Sequence, residues 1–250
     1  MATRKAVGPG PGSYRLLAWV ARLGVAGVEP ARLVLGLSQA VAYSHVARLV
    51  SARLLWRVTV NDGGGGVVAV SRAGARVARE RGFAGVVAAR PNAPSTARHA
   101  RAVSWVAAAV ELRGWEWLGP AQLSAGSGWR VQREDGARHA PDLGLVRDGA
   151  RTAIEVELHA KAPRRLAVIL GGYRELVDRG ALSGVSYVVD RRDVAALVRR
   201  QADGALLGAD LHVGPLEPLI DDARALGARL RSRAAGGGGA GEAGPRSVSS

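Results

Sequence analysis

The spacing of apolar residues in the first fifty positions follows a helical period. Apolar residues three and four apart predict a helix over residues 13–23 and another over 39–52. Glu29-Pro30 marks the start of a short helix between them, because proline suits a first helical turn. The hydroxyl of Ser38 can accept a hydrogen bond from the backbone, so this residue predicts the N-cap of the third helix.

The pattern changes after the third helix. Residues 54–60 and 67–70 are rich in apolar and β-branched side chains, and an Asn-Asp-Gly-Gly-Gly-Gly turn separates them. They therefore predict a β-hairpin. Three helices followed by a hairpin is the order of a winged helix-turn-helix, in which the third helix enters the major groove of DNA. We expect such a domain over residues 13–90.

The helical period divides the third helix into a buried and an exposed face. Ala42, Val46, Leu49 and Val50 belong to the buried face. Side chains on the opposite face are candidates for base contacts, and nearby arginines are candidates for phosphate contacts. The expected DNA-binding residues are Gln39, Tyr43, Ser44, Arg48, Arg53 and Arg57. Such folds also mediate protein contacts, which is the alternative.

The rest of the chain contains segments with the helical period of about 3.6 residues and segments with the strand period of about 2. Helices are predicted over residues 97–113, 163–179, 192–203 and 217–232. Strands are predicted over residues 115–117, 129–132, 142–146, 152–159, 185–189 and 210–213. This order predicts a mixed α/β (α+β) domain with a central sheet over residues 97–232. The Pro/Asn segment 91–96 is expected to be a linker, and the Gly-rich ends 1–12 and 233–250 are expected to be disordered.

Composition restricts the class of protein. Of the 250 residues, 48% are hydrophobic, as in a globular protein. No apolar run reaches the roughly 18–20 residues of a membrane-spanning helix, and the first residues lack a signal-peptide core. The absence of cysteine excludes disulfides and thiolate metal sites. We therefore expect a cytoplasmic protein with no membrane partner.

Charge is distributed unevenly along the chain. The net charge is +14, and residues 1–100 carry +11 of it, with 14 basic residues against 3 acidic ones. A basic segment of this kind predicts a polyanionic partner, here double-stranded DNA. Arginine outnumbers lysine by 33 to 2, which is typical of a GC-rich bacterial genome. That bias explains the choice of arginine but not the scarcity of acids in one part of the chain.

Three acidic residues lie on neighbouring predicted strands. Asp142 opens one strand, and Glu155 and Glu157 share a face of the next, because side chains two apart point the same way. A favourable register would bring all three carboxylates together. Like charges repel, so we expect a divalent cation between them, and oxygen ligands favour Mg²⁺ or Mn²⁺. Such an ion serves phosphodiester hydrolysis.

These residues resemble a known signature. Pro141-Asp142, followed by Glu155-Val156-Glu157 and then Lys161, resembles the PD-(D/E)xK motif of the restriction-endonuclease-like fold, and the order of the predicted elements is similar. With the expected winged helix in front, the chain resembles the replication-relaxation family of bacterial plasmids and mobile elements over about residues 13–205. The two-domain order contributes more to this resemblance than the short motif does.

The resemblance implies roles for particular residues. A nuclease-like domain of this kind would use Asp142, Glu155, Glu157 and Lys161 in catalysis, with the three acids as metal ligands. The matching positions of the family's later motif are Arg165 and Tyr173. His139 and His159 flank the acids and are further candidates for metal ligands, although a histidine at a strand end more often has no such role.

One position departs from the motif. The usual lysine, two residues after the second acid, is Glu157 here, although some restriction-type enzymes use glutamate at this place. Lys161 would lie about 13 Å from Glu157 on a straight strand. Either the chain bends before Pro163 and brings the ammonium group back, or Lys161 contacts phosphate. Lysine, unlike arginine, can act as a base when its pKa is lowered.

The leading hypothesis is a DNA-binding protein for the replication, relaxation or mobilisation of a plasmid or mobile element, with Mg²⁺-dependent nicking or cleavage of DNA as its candidate activity. One alternative is a winged-helix transcription regulator that forms a homodimer. Another is an adaptor for replication or conjugation proteins, with an inactive nuclease-like domain. In both alternatives the acids have ordinary roles: Glu155 and Glu157 line a solvated edge strand, and Asp142 belongs to a turn.

Overall fold

A computed structural model of the chain describes residues 8–59, 65–89, 94–126, 128–132 and 136–236. Parts of several expected segments lie outside the described residues. They are residues 60–64 of the hairpin, 90–93 at the linker, and 1–7 and 237–250 at the two ends.

The first part of the chain packs helices against a small antiparallel sheet. Its helices are α1 (Pro11–Leu23), α2 (Val28–Val34), α3 (Gln39–Ser51) and α4 (Arg72–Glu80). Its strands are β1 (Val25–Gly27), β2 (Leu55–Val58) and β3 (Val67–Val70). The strand order is β1-β3-β2, so the strand that comes between α1 and α2 pairs with the second strand of the hairpin.

Local sequence signals account for the ends of these helices. The hydroxyl of Ser38 accepts a hydrogen bond from Val41 N–H at 3.3 Å and caps α3, as predicted. Ser71 caps α4 in the same way, by accepting from Gly74 N–H at 2.9 Å. Gly24 ends α1 with a φ of 79°, a left-handed conformation that glycine adopts without strain.

The second part of the chain is built on a five-stranded mixed sheet. Its helices are α5 (Pro94–Leu112), α6 (Pro120–Ala125), α7 (Pro163–Asp178), α8 (Arg192–Gly204) and α9 (Leu216–Gly236), with a 3₁₀ turn at Gly208–Asp210. Its strands are β4 (Glu116–Leu118), β5 (Val131–Gln132), β6 (Arg138–His139), β7 (Leu143–Arg147), β8 (Ala150–Glu157), β9 (Gly184–Val189) and β10 (Leu211–Pro215). The expected mixed α/β architecture is confirmed.

Strand β8 occupies the middle of the large sheet. The order is β10-β9-β8-β7-β4, with β8 antiparallel to β7 and parallel to β9. Strands β5 and β6 form a separate two-stranded sheet. Several elements were not predicted, namely β1, α4, α6 and β6. The strand predicted over 152–159 ends earlier, at Glu157.

Side chains of β8 alternate between two cores. Ile154 and Val156 pack in a core that also contains Leu16 of α1 and Val106 of α5. Ala153 faces the opposite core, formed with α7, α8 and β9. Because the first core contains residues from both parts of the chain, α5 joins the N-terminal helices to the large sheet instead of separating them.

A half-buried carboxylate reinforces this junction. Glu111, on α5, accepts hydrogen bonds from the indole N–H groups of Trp19 at 3.0 Å and Trp117 at 2.7 Å. The guanidinium of Arg22 lies 3.6 Å from the same oxygen and stacks on the Trp117 ring. One acid therefore links α1, α5 and β4.

A helix that spans a membrane has to be both long and apolar. No single helix in the described ranges is both long and apolar enough to cross a membrane. Helices α2 and α3 meet this condition only when they are taken together, across a bend of 117°.

Two adjacent glycines of α7 provide a matched test of this packing. A Cβ on Gly172 would lie 1.9 Å from Cγ1 of Val131, which is 1% exposed, whereas a Cβ on Gly171 would meet nothing within 4 Å. We expect Gly172→Ala to lower the free energy of unfolding by about 1–3 kcal/mol through overpacking. Gly171→Ala should leave it unchanged or raise it by up to about 1 kcal/mol.

Urea unfolding of both variants, followed by circular dichroism, measures the two effects on the same helix. Equal changes in the two variants would contradict the close contact between α7 and β5.

Candidate functional site

Glu155 is the most deeply buried acid of the candidate site. It lies on the central strand β8 and is 2% exposed. Its Oε1 atom accepts a hydrogen bond from the hydroxyl of Tyr173, on α7, and lies 2.5 Å from Nε2 of His139, on β6. Burying a carboxylate is costly unless donors replace its water. The helix provides a donor, the Tyr173 hydroxyl, and the two-stranded sheet provides a second polar contact through His139.

A second buried tyrosine stands beside Glu155. Tyr187 of β9 is its partner in the parallel register of β8 and β9. Burial raises the pKa of Tyr173 and of Tyr187 well above the ordinary value, and the charge of Glu155 adds to both shifts. Both hydroxyls therefore stay protonated. The hydroxyl of Tyr187 has no hydrogen-bond partner within the part of the chain that the structure describes.

Asp142 precedes β7 directly and is held by the backbone of β8. The register pairs Leu143 with Ile154, which brings Asp142 next to Glu155 along the strand pair. Its Oδ2 atom accepts a hydrogen bond from Val156 N–H at 2.8 Å. The side chain of Asp142 thus continues the hydrogen-bonding of the two strands beyond the end of β7.

His99, on α5, contacts both Asp142 and the backbone of β8. Its Nε2 atom lies 3.0 Å from the carbonyl oxygen of Val156 and 3.3 Å from Oδ2 of Asp142. Hydrogen bonding to Asp142 raises the pKa of His99 above its ordinary value, against the opposing effect of burial. The Asp142 carboxylate therefore has a cationic partner whenever His99 is protonated.

Glu157 pairs with Lys161. The chain bends at Leu158 and His159, directly after β8, and the ammonium group of Lys161 returns to donate a hydrogen bond to Oε2 of Glu157. This is the first of the two arrangements that the sequence allowed for Lys161, in which the chain bends before Pro163 and brings the ammonium group back. Glu157 is 9% exposed. His159 is exposed beyond the end of the strand.

The three acids do not form one metal-binding group. Each carboxylate has its own partners: His99 and a backbone N–H for Asp142, Tyr173 and His139 for Glu155, and Lys161 for Glu157. Among the described residues, no group of three histidine or acidic side chains could hold a metal ion. As arranged here, these residues do not fit the Mg²⁺ or Mn²⁺ ion that the resemblance implies.

The remaining predicted site residues lie on α7. Tyr173 reaches the site through its hydroxyl, whereas Arg165 is exposed in the first turn of the helix. Sequence reasoning missed His99 and Tyr187. His99 belongs to a helix that follows the expected linker, and Tyr187 meets Glu155 only because β8 and β9 pair in parallel. Neither contact has a local signal in the sequence.

The expected DNA-binding residues form a separate candidate surface on α3 and β2. Four residues, including Gly36 with a φ of 66°, connect α2 to α3. Gln39, Ser44 and Arg48 are exposed on α3. The exposed face of α3 also carries the small side chains of Ala40, Val41, Ala47 and Ser51.

Other expected contact residues lie nearer the hairpin. Arg53 and Arg57 are exposed, and Trp56 between them is 44% exposed. Tyr43 is only half-buried and its hydroxyl accepts a hydrogen bond from Gly66 N–H at 3.3 Å. Tyr43 therefore ties α3 to the hairpin, a structural contact that its expected outward position did not predict.

Comparisons of the chain with protein families, with curated proteins and with solved structures found no match.

The contact between His99 and Asp142 predicts a pH dependence. Because the pKa of His99 is raised in the folded state, its protonated form stabilises the fold below an unfolded pKa of about 6.5. This stabilisation is lost as the pH rises through the folded pKa. We expect the difference in unfolding free energy between the wild type and His99→Gln to shrink between about pH 5.5 and about pH 8.5.

Urea unfolding at the two pH values measures the difference. The same comparison in an Asp142→Asn background is the control, because without the carboxylate the difference should no longer shrink. A difference that stays constant in the wild-type background would refute the pairing.

Proposed function

We propose that the chain is a DNA-binding protein whose first part is a winged helix-turn-helix. The observation that carries this proposal is the geometry of α2 and α3, which a four-residue turn joins across a bend of 117°. Helix-turn-helix pairs cross at about 90–120°. The strand order β1-β3-β2 behind them supports the same assignment, with β2 and β3 as the strands of the wing.

The exposed face of α3 suits a major groove. Its small side chains let the helix approach base edges closely, while Gln39 and Arg48 offer the amide and guanidinium groups that read adenine and guanine. Arg53 and Arg57 extend the basic surface towards the wing. The net charge of +11 on residues 1–100 supplies the attraction for phosphates.

The second part of the chain is proposed to be a restriction-endonuclease-like domain. Its support is the pair β7 and β8, with Asp142 directly before one strand and Glu155 and Glu157 on the other, followed by α7 and the parallel strand β9. With this domain, the proposed role is in replication, relaxation or mobilisation of a bacterial plasmid or mobile element. The proposed partners are double-stranded DNA and replication or conjugation proteins in the cytoplasm.

The separate partners of the three acids favour a DNA-binding scaffold over a nuclease. Metal-dependent nicking stays a second candidate, because Asp142 lies beside Glu155 on adjacent strands and Lys161 returns to the acidic strand. A regulator or an adaptor for a replication or transfer complex requires no metal and agrees with the arrangement as it stands.

DNA binding can be tested with a matched pair of double variants. We expect Arg53→Ser/Arg57→Ser to weaken binding of a short fluorescent duplex and to reduce the slope of log affinity against log salt by about 1 for each lost phosphate contact. Fluorescence anisotropy over a series of salt concentrations measures both quantities.

Arg192→Ser/Arg200→Ser is the control, since it removes the same charge from exposed positions on α8. This control should retain most of the affinity. Equal losses in the two double variants would mean that only the overall charge matters, and the proposed surface would be wrong.

Nicking can be tested separately with supercoiled plasmid and either Mg²⁺ or Mn²⁺. If the second candidate holds, nicked circles accumulate with the wild type and disappear with Glu155→Gln, which keeps the shape of the side chain without its charge. No nicked product from the wild type, or the same yield from the variant, would leave the scaffold function alone.

A further inference from the structure

A cavity of about 630 Å³ lies beside the candidate site, on the side of the sheet covered by α7. It is lined by the end of α6 with Gly126 and Gly128, by the β5–β6 pair and by the C-terminal half of α7. Its volume falls within the range of about 300–1,000 Å³ that is usual for small-molecule sites. None of the predicted site residues lines it.

The charged groups at this cavity are mainly basic. Arg130, Arg138 and Arg179 line it, against the single acid Glu175 among the described lining residues. Arg179 donates a hydrogen bond through Nε to the backbone carbonyl of Glu175 at 3.1 Å. Within the described ranges, the side chains of Arg130 and Arg138 form no hydrogen bond or ion pair with another residue.

We propose that this cavity binds a phosphate-bearing ligand. Guanidinium groups pair with phosphate through two parallel hydrogen bonds, and a bound dianion would reduce the repulsion between the arginines that line the cavity. The amide of Gln132 adds a neutral polar group to the lining. These groups suit either a free diphosphate compound or the phosphodiester backbone of a nucleic-acid strand.

Recognition in this cavity depends on phosphate and not on stacking. The nearest tryptophan, Trp129, is buried, and the guanidinium of Arg151 lies 4.3 Å from its ring centroid. No aromatic side chain lines the cavity among the described residues. A base would therefore find no ring to stack on, whereas a phosphate would find two guanidinium groups.

The cavity and the candidate site share strand β6. Arg138 lines the cavity, and its neighbour His139 contacts Glu155 from the opposite face of the strand. A ligand that fixes Arg138 would also restrain the strand that positions His139. The proposal does not depend on DNA binding by α3, because the two surfaces have no residue in common.

Isothermal titration calorimetry of the full chain tests the proposal, with pyrophosphate and an oligothymidine strand as separate probes. We expect saturable binding of at least one probe with a single site per chain. Arg130→Ser/Arg138→Ser should weaken that binding by about tenfold or more, because a hydrogen bond to a charged group contributes this much. Arg192→Ser/Arg200→Ser is the charge-matched control and should bind like the wild type.

The outcomes separate the sources of the phosphate. Pyrophosphate binding that only the Arg130/Arg138 variant loses supports a small diphosphate ligand. Oligothymidine binding that this variant loses and Arg53→Ser/Arg57→Ser keeps supports a strand backbone, independently of the proposed winged helix. No binding of either probe, or equal weakening by the control variant, would overturn the proposal. An unchanged urea midpoint confirms that each variant is folded.

Discussion

The buried carboxylate of Glu155 is the constraint on which the candidate site depends. A charged group in the middle of a sheet is tolerated only when the surrounding elements supply donors. Here one donor comes from Tyr173 on α7, and a second polar contact comes from His139 on β6. The positions of the helix and of the small β5–β6 sheet are therefore tied to one side chain of β8. Any ligand that binds near this acid competes with contacts that also maintain the packing.

Helix α5 connects the proposed DNA-binding surface to the large sheet. Its apolar side chains belong to a core that includes α1 and β8, and its Glu111 accepts hydrogen bonds from Trp19 and Trp117. A carboxylate shared by two indole groups fixes the relative position of the elements that carry them. Among the described residues, the proposed winged helix thus shares one hydrophobic core with α5 and the large sheet.

Sequence periodicity predicted most of the helices and the strands of the large sheet, because burial of one face imposes a regular spacing. The N-cap at Ser38 followed from its side chain alone. Strand β1 was missed because three residues are too few to show a period. The contacts of Glu155 with Tyr187 and of Asp142 with His99 depend on tertiary pairing, which a single sequence does not specify. The acids were therefore found from the sequence, but their separate partners were not.

The hydrogen bond from Val156 N–H to Asp142 affects how mutagenesis of this acid is interpreted. The Asp142 carboxylate accepts a backbone hydrogen bond of the kind that carbonyl oxygens accept elsewhere in the sheet. Alanine at position 142 would leave an amide group unsatisfied and free the neighbouring imidazole, so a loss of activity would report damage to the scaffold as readily as missing chemistry. Asparagine keeps an acceptor oxygen at the same place and removes only the charge. Asp142→Asn therefore distinguishes damage to the scaffold from loss of the acid's chemistry as the cause of an inactive variant.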